Sequence, residues 1–173
     1  KAWIVLHVIE SAIENKVIEK PSFIFNMSCG YNLEGIKQEK MQTFIDSMID
    51  SGKKPLFDEY INEAKAMISD GIFDGSDWEG REEKVLKTLD NISKNICRSV
   101  TVSTMHGCPP KEIEAICSYL LTEKKLDTFV KLNPTLLGYD TVRKVLDDLG
   151  YGYVVLKRES FEHDLQLADA KAM

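Results

Sequence analysis

Lys131 stands inside the apolar run Phe129-Val130-Lys131-Leu132 and is hard to explain by packing alone. An ammonium in a covered sheet costs on the order of several kcal/mol unless an anion meets it. Two readings stay open: a lysine whose stem reaches water and pairs with a carboxylate, or a cation facing a ligand's phosphate, carboxylate or electron-rich ring. Cys108 precedes Pro109-Pro110 and a helix-like run, and His106 lies one residue before its neighbour Gly107. A helix N-terminus favours the thiolate, and the imidazole can exchange a proton with it; a small residue filling a tight turn is the plainer alternative. Cys29, before Gly30, has the same two readings. A cysteine-nucleophile hydrolase built on Cys108 and His106 ranks below the others, because one intervening residue seldom allows the geometry of a dyad.

These residues fall at the ends of strand-like runs. Ser22–Met27 is followed by Ser28, Cys29 and Asn32, with Asn26 inside the run. Ser99–Thr104 is followed by His106 and Cys108, Thr128–Leu132 by Asn133 and Thr135, and Tyr153–Leu156 by Lys157 and Arg158. Apolar residues at helical spacing fill the intervals: residues 2–13, a run through Met41 to Ile49, residues 113–121, a run capped by Asp140 and ended by Gly150, and residues 160–172. Near-continuous apolar strands alternating with amphipathic helices predict an α/β fold with a parallel sheet covered by helices. Its strand ends deliver the polar residues to one rim, where ligands of such folds bind. Four strands suit either a small open sheet or about half of a (β/α)8 barrel, which needs about 250 residues; the strand pattern does not separate the two. Residues 53–98 break the rhythm with helices from Pro55 and from Arg81 to Ile96, joined by a glycine- and aspartate-rich loop at 70–80, and are read as a helical insertion.

The 173 residues, 43% hydrophobic and 29% charged, suffice for one globular domain. A net charge of −6 argues against nucleic-acid or anionic-membrane partners, and no apolar run is long enough to span a membrane. The four cysteines form no CxxC pair and read as reduced cytoplasmic thiols, with Cys97 and Cys117 in the core. His7 and His163 lack partners at metal-ligand spacing and read as structural. The loop at 70–80 shares only composition with calcium loops, so no metal site is expected. There is no GxGxxG fingerprint. The chain opens on Lys1 and not on methionine, which points to a piece of something longer.

Two strings resemble flavin-dependent barrels. Phe25-Asn26-Met27-Ser28-Cys29 resembles the Asn-x-Ser-Cys strand end of dihydroorotate and dihydropyrimidine dehydrogenases, and Phe129-Val130-Lys131-Leu132-Asn133-Pro134 resembles their Val-Lys-Leu-x-Pro strand. Nearly the whole chain resembles the selenate reductase large subunit family, multidomain iron–sulfur flavoproteins. The strings Leu33-Glu34-Gly35-Ile36, Ser103-Thr104-Met105-His106-Gly107-Cys108-Pro109-Pro110 and Asn133-Pro134-Thr135-Leu136-Leu137-Gly138-Tyr139 carry that likeness. The resemblance implies a partial (β/α)8 barrel of TIM type over residues 1–173 and an oxidoreductase in selenium or purine/pyrimidine redox metabolism. It also implies FMN in this region, with FAD and iron–sulfur clusters elsewhere in the full-length protein. Lys131 would lie beside the flavin's pyrimidine end; Asn26, Ser28 and Asn133 would bind cofactor or substrate edges. A cysteine would be the acid/base that moves a proton while hydride passes between substrate carbon and flavin. Cys29 matches the dehydrogenase cysteine by its letters. Cys108, one helical crossover before Lys131, matches by topology, and both assignments stay open. The implied partners are the remaining domains and redox partner subunits, and a part-barrel with open strand edges can self-associate. A non-catalytic scaffold or docking module of a redox complex is the alternative.

Overall fold

The computed structural model describes residues 1–103, 109–162, 164 and 167–172. The helices are α1 (Ala2–Glu14), α2 (Leu33–Ile36), α3 (Glu39–Ile49), α4 (Pro55–Ser69), α5 (Glu82–Asp90), α6 (Pro110–Thr122), α7 (Tyr139–Asp148), α8 (Glu159–Glu162) and α9 (Leu167–Ala172). The strands are β1 (Phe25–Cys29), β2 (Cys97–Ser103) and β3 (Asp127–Lys131). The chain divides into two compact units, Lys1–Phe25 with Gln42–Cys97, and Asn26–Met41 with Arg98–Met173.

The first unit is built on helices. Pro55, whose fixed φ suits the first helical position, starts α4, and α1 packs against both α4 and α5. Their apolar stripes meet in a core holding Trp3, Ile4, Phe57, Ile61, Val85 and Leu89. The buried Trp3 ring meets His7 and Phe23 edge-on at 4.5 and 5.3 Å between centroids, the arrangement that suits aromatic quadrupoles. The buried hydroxyls of Ser11 and Thr88 inside this unit are paired. The Thr88 hydroxyl accepts the Ile18 N–H at 2.9 Å and lies 2.9 Å from Ser11 Oγ, which donates to the Lys16 carbonyl at 2.6 Å. The expected helix to Ile96 stops at Asp90. Residues beyond it are drawn into polar ties: Asn95 Nδ2 donates to the Ile49 carbonyl and Trp3 Nε1 to the Ser93 carbonyl. Ser and Asn side chains compete in this way with helical bonding.

The second unit carries the sheet, in the order β1-β2-β3. β2 and β3 pair in parallel from Ser99 opposite Asp127 to Ser103 opposite Lys131. Side-chain bonds from β1 to β2, at Asn26 and Thr101 and then at Ser28 and Ser103, advance in the same direction along both strands. The stripe Ile113, Ile116 and Leu120 of α6 is buried, and α6 packs on β3. β1 sits two to three residues later than its apolar run suggested.

The expected fourth strand is absent among the described residues. Residues 153–156 adopt turn and irregular backbone, with Tyr153 77% and Val155 87% exposed. Arg143 on α7 donates to the carbonyls of Val154 and Tyr151, and the Val154 N–H bonds to Tyr151. A local turn thus takes the Val154 backbone groups that a ladder would need. Two helix ends also differ from expectation. α7 begins at Tyr139 behind Gly138, not on an Asp140 cap; Asp140 instead pairs with Arg158 at 2.8 Å. The last helix is split into α8 and α9.

Candidate functional site

Side chains alternate across a strand, so each strand of the second unit shows one face outward. Asn26 and Ser28 of β1 are exposed, while Met27 and Cys29 are buried. Thr101 Oγ1 bonds to Asn26 Oδ1 at 3.2 Å, and Ser28 Oγ lies 3.4 Å from Ser103 Oγ. On β3, Phe129 stands opposite Thr101 and Lys131 opposite Ser103. The open face therefore carries two transverse rows, Asn26–Thr101–Phe129 and Ser28–Ser103–Lys131, the second at the carboxyl ends of the strands. Of the residues singled out in the sequence, Asn26, Ser28 and Lys131 come together here.

Lys131 is exposed. Its ammonium does not carry the burial cost expected of a cation inside a covered sheet, and it lies at the sheet's rim. Asn133 is half-buried just past β3, where its carbonyl accepts the Leu136 N–H in a 3-10 turn at Pro134–Leu137. The neighbouring Thr135 donates to Asp164 at 2.8 Å.

Cys29 belongs to the other face. It is 3% exposed, and burial pushes its thiol up, an effect that the Tyr31 backbone only partly offsets. The structure therefore does not join Cys29 to Lys131. His106 and Cys108, with Thr104, lie outside the described residues, as does His163. Cys97 is buried and donates to the Phe25 carbonyl at 2.9 Å. Cys117 is half-buried, its thiol raised by burial. His7 is packed between Trp3 and Phe23, the structural role expected of it. Among the described residues no cluster of three or more His, Cys, Asp or Glu side chains could hold a metal ion, and no helix is long and apolar enough to cross a membrane.

Sequence reasoning missed Glu112 and Asp164. Glu112, in the first turn of α6, accepts the Leu33 N–H at 2.8 Å, and Asp164 is a carboxylate only 7% exposed behind the turn after β3. An acidic residue three positions into a helix that follows Pro109 was a readable signal for Glu112, but for its own helix only. Nothing in the local sequence marked Asp164.

An ammonium, hydroxyls and a carboxamide stand at the carboxyl ends of parallel strands in a fold of the α/β barrel class. Within that class the assignment is specific: residues 1–173 match the family described as "Oxidoreductase YgfK, N-terminal TIM-barrel domain", and the chain belongs to it. The proteins called "Putative oxidoreductase YgfK" from Escherichia coli K12 and from Escherichia coli O157:H7 are each 51% identical to it over 174 residues. The match covers all of this chain and 17% of each relative's length. No solved structure matches it.

Proposed function

We propose that this chain is the barrel segment of a multidomain iron–sulfur flavoprotein oxidoreductase of the selenate reductase type, and that its open sheet face binds the polar edge of FMN. The row Ser28–Ser103–Lys131 is the observation that supports this most directly. A flavin ring presents carbonyl oxygens and ring nitrogens along one edge, and the donors of this face suit them. Bound there, the flavin would supply hydride transfer. Lys131 holds its cation at the strand end, where negative charge on a reduced ring is stabilised; Asn26 and Ser28 orient the ring edge, and Asn133 faces substrate or cofactor beyond β3.

A proton donor needs access to the same face. A buried thiol kept protonated, on the opposite side of the sheet, suits packing better than acid/base work, so the reading gives that role to Cys108 or His106 in the segment after β2. FAD and iron–sulfur clusters, and any redox partner subunit, belong to the remainder of the protein, which is placed in the cytoplasm. Residues 53–98 are read as a helical insertion in a single α/β fragment.

The test is the flavin content of the full-length protein. Extraction should release FMN as well as FAD, and Lys131→Ala should lose the FMN and keep the FAD. Full FMN content in that variant overturns the reading, and a protein that never carries FMN favours the scaffold alternative.

A further inference from the structure

We infer that Glu112 is a positioning residue for the proposed ligand face, locking the helix after β1 to the start of the helix after β2; the inference rests on the reading of that face given above. α2 has only four residues, too few to hold itself, and its first N–H groups have no partner within the helix. Asn32 Oδ1 accepts one of them, from Gly35 at 2.9 Å. The Leu33 N–H goes instead to Glu112 Oε1, on α6, at 2.8 Å.

That carboxylate serves two helix starts together. It lies in the first turn of α6, where the helix's own partial positive charge favours it, and it meets the first N–H of α2 in a charge-assisted bond. Further along, the Lys37 ammonium stands 5.0 Å over the Tyr119 ring of α6, so α2 is tied to α6 at both ends. Residues 30–32 continue from Asn26 and Ser28 of β1 into α2, so the helix start that Glu112 holds is the one the ligand face leads into. Through Glu112 the starts of α2 and α6 are tied to one another. Glu112 also lines an open depression of about 470 Å³ with Asn32, Lys37 and Gln38, so water reaches the Leu33 amide once the carboxylate is gone.

Glu112→Ala and Glu112→Gln in the full-length protein test this, read by hydrogen exchange in peptides covering residues 30–36 and 109–113 and by FMN affinity. The alanine variant should exchange roughly ten- to a hundredfold faster in both peptides, the range expected for losing a charge-assisted bond, and should bind FMN more weakly. The glutamine variant, which keeps an acceptor for Leu33, should restore most of both. Unchanged exchange in Glu112→Ala overturns the inference, as does faster exchange confined to residues 30–36 or unaccompanied by weaker FMN binding. If the unaltered protein carries no FMN while both peptides still loosen, the flavin reading falls and the lock between the two helix starts stands.

Discussion

The helical core of the first unit and the open sheet face of the second handle their polar groups in opposite ways. In the first, the buried Ser11, Thr88 and His7 find partners inside: Ser11 and Thr88 form a relay between α1 and α5, and His7 Nδ1 donates to the Trp3 carbonyl at 2.7 Å. In the second, the sheet turns Asn26, Ser28, Thr101 and Lys131 outward with Phe129, which is 56% exposed. A wall that had only to hold the fold together would place apolar side chains against a cover. Buried residues of the helical core and exposed residues of the sheet face should therefore respond differently to substitution.

The largest difference should come from truncating an apolar side chain. Leu89, buried among Trp3, Phe57 and Val85, leaves a cavity when shortened, so Leu89→Ala should cost about 2–5 kcal/mol in urea unfolding. Phe129→Ala removes a larger side chain from the open face and should cost about 1 kcal/mol or less. Equal losses would mean that Phe129 is buried against something in solution, and that the open face is not open.

Next in size is Thr88→Val, which keeps the shape but removes the oxygen that Ile18 N–H and Ser11 share. Leaving the buried Ile18 N–H without an acceptor should cost about 1–3 kcal/mol, measured in the same way. A neutral result would show that the relay is not what fixes the segment after α1.

The alternation of the first three strands with helices and the class of fold were legible in the sequence, because strand periodicity and turn residues are local signals; that Lys131 is exposed was not, since its apolar neighbours pointed to a covered sheet. What failed was set by contacts distant in sequence. Tyr153–Leu156 has every local mark of a strand, yet Arg143 and Tyr151 hold its backbone in a turn. Cys29 matched by its letters, but a one-residue step along β1 put it on the covered face. The bond from Glu112 to Leu33 joins residues 79 positions apart, and no spacing rule announces it.

His7 gives a smaller effect that changes with pH. Burial lowers its pKa from 6.5, against the raising influence of the Trp3 carbonyl and Glu10, so the folded state takes up a proton less readily than the unfolded chain. Stability is then full above about pH 6.5, falls as the pH drops below it, and levels off once the folded-state pKa is passed. Urea titrations between pH 7.5 and 5 should show a shallower loss in His7→Gln than in the unaltered chain, since the carboxylates contribute to both. An identical slope would place the imidazole in contact with water, and would weaken the claim that the first unit keeps its polar groups dry.

The smallest expected effect is the sharpest form of the comparison. Thr101→Val makes the same chemical change as Thr88→Val, on the open face, where the lost partner is the exposed Asn26 carboxamide at 3.2 Å. Water replaces that bond, and valine suits a strand at least as well as threonine, so stability should move by no more than about 0.5 kcal/mol. The same substitution removes a hydroxyl from the row beside Ser28, Ser103 and Lys131, and FMN binding should weaken although the fold does not. A costly Thr101→Val would make that row a structural network like the one around Thr88. A variant unaltered in both stability and FMN binding would confine the ligand to the Lys131 row.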